Sequence, residues 1–282
     1  MGRIGRGWHL AKRSWSVVKG DRSLIVFPIV SAIAGIITAV IFFGAGAGLI
    51  AGTKIDWLGI VIAVIGVYLI IAIGIFCGVA LSACAALALE GHDTTVGDGI
   101  AAARQHQSQI FAWAGVSLVV GGLIMFLEAL LREVGGQILA TIVGGLANFA
   151  WSVATFFVIP VIAFEDLGPK DAIKRSTHVV KERWGEGVTG SFAIGGIAFL
   201  IGILPAGILI AIGIAVAKSS VALGVVVIVL GALVLVVAAL LQATISAVFK
   251  VALFRFATEG KVLGGFQPQE LEAAFVPKRR RI

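Results

Sequence analysis

An all-α, polytopic membrane protein, with six transmembrane helices paired as three hairpins and interfacial amphipathic helices on one side, is the fold class that three observations predict. The first is composition. Of 282 residues, 59% are hydrophobic and 13% charged, with a mean hydropathy of +1.08, against roughly 25% charged in a soluble domain. The second is segmentation: six apolar stretches each approach the length of about 20 residues that a spanning helix needs. The third is where the bases fall, since 19 of the 22 Lys and Arg lie on the side of the N-terminus.

Met1 to Ser23 sets Ile4, Trp8, Ala11, Trp15 and Val18 at spacings of 4, 3, 4 and 3, with Arg3, Arg6, Lys12, Arg13 and Lys19 elsewhere. This predicts a basic amphipathic helix lying in the membrane interface, with tryptophans at the depth their rings prefer. Ala45-Gly-Ala47 has the small-x-small look of a cleavage site, but the 22-residue basic lead and the run Leu24 to Phe43 are too long for a signal peptide. An uncleaved anchor is expected. The spans are expected at Leu24–Ala51, Trp57–Leu89, Ile110–Leu127, Ile138–Phe164, Val188–Val216 and Val221–Phe249. The second, at 33 residues, would be about 50 Å long as a helix, so it must tilt, start late or continue beyond the hydrocarbon. The connections Gly52–Asp56, Glu128–Gln137 and Ala217–Ser220 are short, which makes each pair of spans an antiparallel hairpin.

Charge orients the arrangement. Six bases precede Ser23, one is Arg104, five run from Lys170 to Arg183 and seven from Lys250 to Arg281, leaving Lys54, Arg132 and Lys218 for the other side. The positive-inside rule then puts both termini in the cytoplasm. The net charge of +7 is thereby explained by topology, and no nucleic-acid partner is expected.

The stretch Trp151 to Glu186 contains the plan of one unit. Ser152 and Thr155 can return hydrogen bonds to their own helix, Pro160 loosens the ladder, and Glu165 and Asp166 mark arrival in water. Pro169 restarts a helix, with Asp171 in its first turn. Ile173, Thr177, Val180 and Trp184 form its apolar line, while Lys174, Arg175, Lys181 and Arg183 fall mostly elsewhere, so it is expected to lie on anionic lipid. Lys12-Arg13-Ser-Trp-Ser-Val-Val-Lys19 and Lys174-Arg175-Ser-Thr-His-Val-Val-Lys181 agree at six of eight positions. A divergent copy spans Thr94 to Gln109, and Glu90-Gly91, Glu165-Asp166 and Glu259-Gly260 follow the even-numbered spans. These echoes predict a threefold internal repeat with units of about 1–91, 92–166 and 167–260, within one domain over 1–266, followed by a basic tail 267–282.

On the residues Trp151-Ser-Val-Ala-Thr-Phe-Phe-Val-Ile-Pro160, Gly168-Pro169, Lys174-Arg175-Ser176 and Trp184-Gly185-Glu186, with Thr95-Val-Gly-Asp-Gly99 weaker, the chain resembles an uncharacterised prokaryotic family of six-helix membrane proteins, a domain of unknown function. It is more distantly similar to the membrane domain attached to some glycerophosphodiester phosphodiesterases. The resemblance implies the six-helix fold over nearly the whole chain and carries no activity with it.

Little in the sequence suggests chemistry. The central parts of the six spans hold no acid or base, and intramembrane ionisable groups are the usual mark of catalysis or ion coupling. Glu128 and Arg132, at i, i+4 spacing, read as a mutual ion pair near the outer surface. Asn148 and Gln242, the amides of the spans, read as interhelical hydrogen bonders or as the lining of a polar path with Thr155 and Pro160. Cys77 and Cys84 lie seven apart on one helix, out of disulfide reach. Glu90-Gly-His92-Asp93 has no HExxH or CxxC spacing to make it a metal site.

The expected function is therefore non-enzymatic, with no catalytic residue, cofactor or metal: an oligomeric structural or scaffolding protein. It would grip anionic lipid through Trp8, Lys12, Arg13, Trp15, Lys174, Arg175, Lys181 and Trp184. The alternative is a passive channel or transporter for a neutral or lipidic solute, passing Asn148, Thr155, Pro160 and Gln242. A surface enzyme using Glu90, His92, Asp93 and Asp98 is a distant third.

Overall fold

The computed structural model describes residues 3–52, 56–184, 203–266 and 271. Lys54, the first half of the fifth expected span and the tail 267–282 other than Leu271 lie outside the described residues, as do the side chains of Trp8 and Trp184. The described residues form helices and connectors with no strand. In chain order they are α1 (Arg3–Gly20), α2 (Ser23–Gly52), α3 (Asp56–Leu89), α4 (Val96–Gln105), α5 (Gln107–Ala154), α6 (Val158–Glu165), α7 (Pro169–Trp184), α8 (Leu204–Ala217) and α9 (Val221–Glu259).

Among the described residues, four segments are long and apolar enough to cross a membrane: Ser23–Ala51, Trp57–Leu89, Gln107–Glu165 and Val221–Glu259. Leu204–Ala217 is apolar and shorter. Between 11% and 22% of the most apolar window of each candidate span is buried inside the protein. The remaining surface suits hydrocarbon, so the chain is a membrane-embedded protein.

The chain divides into two compact units. One comprises Val26–Cys84 and Thr94–Glu182. Within it α2 and α3 approach with almost no side chain between them: a methyl group added at Gly46 would stand 2.8 Å from the Gly59 carbonyl oxygen. The 48 residues of α5 do not run straight. Trp113 stacks on Trp151 with ring centroids 5.6 Å apart, whereas a straight helix would separate them by about 57 Å. The reversal is at Gly136, whose φ of 77° and ψ of 174° suit glycine alone. A ten-residue connection Glu128–Gln137 is thus replaced by helix on both sides of a single-residue turn. Glu128 does not pair with Arg132; Asn148 Nδ2 donates to its carboxylate at 3.3 Å across the turn, and the carboxylate lies where a Cβ on Gly144 would be. A long side chain can sit against the opposing backbone there because Gly144 has none.

The other unit comprises Met1–Ile25, Ala85–Asp93 and Arg183–Ile282. There α1 packs on α9, and α8 packs on α9 through Gly213, Gly224 and Gly231. α9 continues ten residues beyond the expected end at Phe249. Lys250 and Arg255 end the apolar run without ending the helix, which stops where Gly260 takes a left-handed conformation. The Gly264 N–H donates to the Leu89 carbonyl at 3.0 Å.

Burial is uneven along the long helices. Phe27 on α2, Val79 to Leu81 on α3, Trp113 on α5 and Val248, Phe249 and Val251 to Leu253 on α9 are buried, all toward the ends that meet charged connectors. Val40, Trp57, Met125, Ile138 and Val221, toward the opposite ends, are exposed.

Candidate functional site

A dense polar network forms where the apolar chain breaks. Pro160 has no N–H and its ring crowds the carbonyl four residues earlier, so the helix cannot run through Phe156. It opens over Thr155 to Phe157 and restarts as α6. Thr155 Oγ1 donates back to the Trp151 carbonyl at 2.8 Å. The Phe157 N–H is taken up by α7: it donates to Ser176 Oγ at 3.0 Å, with both residues fully buried. One position on, Thr177 Oγ1 donates to the Ala154 carbonyl at 3.5 Å. Two adjacent hydroxyl groups thus stand in for helix-ladder partners that the break removes.

α7 is held at its other edge by ions. Arg175 Nε donates to both oxygens of Glu165, at 3.0 and 2.9 Å, and this bond raises the Arg175 pKa, partly opposed by desolvation. Asp166 follows in the left-handed conformation, φ 52°, which aspartate tolerates. Its Oδ1 accepts from His106 Nδ1 and from Gln109 Nε2, both at 2.7 Å, tying the exit of α6 to the start of α5. α4, just before, begins with a capping box: Thr95 and Asp98 bond reciprocally, and the bond from the Thr95 hydroxyl holds the Asp98 pKa below its usual value.

The buried line of α7 is Ala172, Ser176, Val179 and Val180, while Ile173 and Thr177 are half-buried. The stripe lies one residue earlier than the apolar pattern implies, because close approach to a broken backbone selects small side chains. Lys170, Lys174 and Lys181 remain exposed, Lys174 reaching Asp171 at 3.5 Å. Arg175, also expected at the lipid surface, pairs its guanidinium with Glu165. α1 has the same disposition: Ser14 and Val18 are fully buried, Lys12, Arg13 and Lys19 exposed, and Trp15 half-buried with the Lys19 ammonium 5.7 Å from its ring centroid. Trp8 and Trp184 fall on α1 and α7.

The residues suggested for a polar path fall as follows in the two units. Asn148 is bonded to Glu128 and to the Gly144 carbonyl, Thr155 to its own helix, Pro160 is buried beneath the break, and Gln242 is half-buried on α9. Glu90, His92 and Asp93 line an open cleft of about 410 Å³ with Ser16 and Asp21. Among the described residues no group of three or more His, Cys, Asp or Glu is arranged to hold a metal. The hydrogen-bonding roles of Ser176, His106 and Gln109 escaped the sequence reading, although the Arg-Ser pair shared by both basic helices was a signal for the first.

No curated protein and no solved structure matches the chain. Its sequence profile, however, is matched over residues 57–265, which include the reversal at Gly136, the break before Pro160 and the whole of α7, and on that match the chain belongs to a family of unknown function (DUF6159).

Proposed function

We propose that the protein is a non-enzymatic structural component of a prokaryotic plasma membrane, with six spans as three hairpins and both termini cytoplasmic, attached to anionic lipid of the inner leaflet by α1 and α7. One observation carries this reading. α7 buries Ala172, Ser176, Val179 and Val180 in its own protein while leaving Lys170, Lys174 and Lys181 exposed. A basic helix locked on one side and open on the other is suited to headgroups.

Two further facts support it. Gln107–Glu165, at 59 residues, reverses at Gly136 and so holds two crossing lengths. The exposed bases Lys12, Lys19, Lys174 and Lys181 stand on helices adjoining apolar segments, and each is worth about 1 kcal/mol near an anionic surface.

The test is the lipid retained by the purified chain. Replacing those four lysines with glutamine should reduce enrichment of anionic over zwitterionic lipid in nanodiscs of mixed composition, without lowering thermal stability. Unchanged enrichment would refute the attachment.

A further inference from the structure

We infer that α9 is a two-state helix: near Val251 it opens, as a minor form, into the broken geometry that the α5–α6 segment already shows, with the Ser14 hydroxyl as the acceptor for the N–H that opening frees.

α1 and α7 share six of eight residues over Lys12–Lys19 and Lys174–Lys181. Their burial matches as well, Ser14 and Val18 corresponding to Ser176 and Val180. Each packs on an apolar segment that ends in glutamate: α7 on the segment ending at Glu165, α1 on α9, which ends at Glu259. Eight residues before those glutamates stand Phe157 and Val251, both fully buried. The two copies differ in one respect. Ser176 Oγ receives the Phe157 N–H, while Ser14 Oγ is buried with no hydrogen-bond partner among the described residues.

The sequence explains the difference. Pro160 forces the first segment open, and its counterpart in α9 is Phe254, which keeps its N–H and leaves the ladder continuous. Trp15 stands where α7 has Thr177, so an opened α9 would gain one hydroxyl partner rather than two. Both substitutions make the open form the minor one. A hydroxyl buried without a partner is unfavourable, and the open form is the state that satisfies it.

Hydrogen–deuterium exchange on the full chain in lipid nanodiscs tests this, since local opening sets the exchange rate of a protected amide. Ser14→Ala should slow exchange around Val251 about tenfold, the loss of one hydrogen bond from the open form, with the flanking parts of α9 unchanged. Ser14→Thr, which retains the hydroxyl, should restore the rate. Unchanged exchange at Val251 in Ser14→Ala would overturn the inference, and so would slowing spread evenly along α9, which would mean only that a misplaced hydroxyl had been removed.

Discussion

Replacing Ser176 with alanine removes one oxygen atom from the clamp and leaves the apolar packing of α7 in place. The oxygen accepts the Phe157 N–H at 3.0 Å, and both residues are fully buried, so water cannot take its place. Ala172 and Val179 on α7, and Val158 and Val161 on α6, are buried too, so the surroundings offer little in exchange. A buried donor deprived of its acceptor costs about 1 to 3 kcal/mol. At about 2 to 4 °C per kcal/mol for a chain of this size, a mid-range loss lowers the unfolding midpoint by about 4 to 8 °C. The assay is thermal unfolding in nanodiscs, followed by tryptophan fluorescence at one fixed scan rate, because irreversible unfolding makes the midpoint depend on rate. Ser16→Ala is the control: that hydroxyl is exposed and bonds the Arg13 carbonyl of its own helix. Equal midpoints for the two variants would refute the idea that α7 completes the broken helix.

Arg175→Ala should destabilise by about 1 to 2 kcal/mol, the value of a charged two-oxygen contact discounted for partial exposure, and Glu165→Ala should add little further in a double-mutant cycle. Gly136→Ala should cost about 1 to 3 kcal/mol, since its backbone conformation excludes a Cβ; a midpoint equal to wild type would mean that the turn lies elsewhere. The lowered Asp98 pKa makes its contribution to α4 fully present above the ordinary carboxylate value of about 3.9 and lost as pH falls through the folded value. Pepsin should therefore begin to cut Thr94–Gln105 only in strong acid, and at a higher pH in Thr95→Ala; identical pH profiles would contradict the assignment.

How much of this was legible in the sequence depended on how far each interaction reached. The boundaries of α2 and α3 follow from apolar length alone, and Pro160 announced the loosening of its helix because its effect is local to the backbone. The reversal at Gly136 was harder, since Leu130, Leu131 and Val134 continue the apolar run around Arg132 and Glu133, and composition cannot show which glycine adopts a positive φ. Glu128 reads as the partner of Arg132 because i, i+4 spacing is visible in one dimension; Asn148, twenty residues on, becomes its neighbour only after the chain turns. Ser176 was hidden for another reason. A hydrophobicity pattern ranks Ile173 and Thr177 above Ala172 and Ser176, yet the clamp needs small side chains and an oxygen atom.

In the proposed topology three hairpins enter the membrane from the side carrying α1, α7 and the chain termini. Single-cysteine accessibility to a membrane-impermeant maleimide tests it most directly, in a background with the two buried cysteines, Cys77 and Cys84, replaced by alanine. Arg132→Cys and Lys218→Cys should label from outside intact cells, and Lys19→Cys, Arg104→Cys and Lys170→Cys only after the membrane is opened. Labelling of Arg132→Cys from the same side as Lys170→Cys would contradict the account, because the segment that reverses at Gly136 would then not cross.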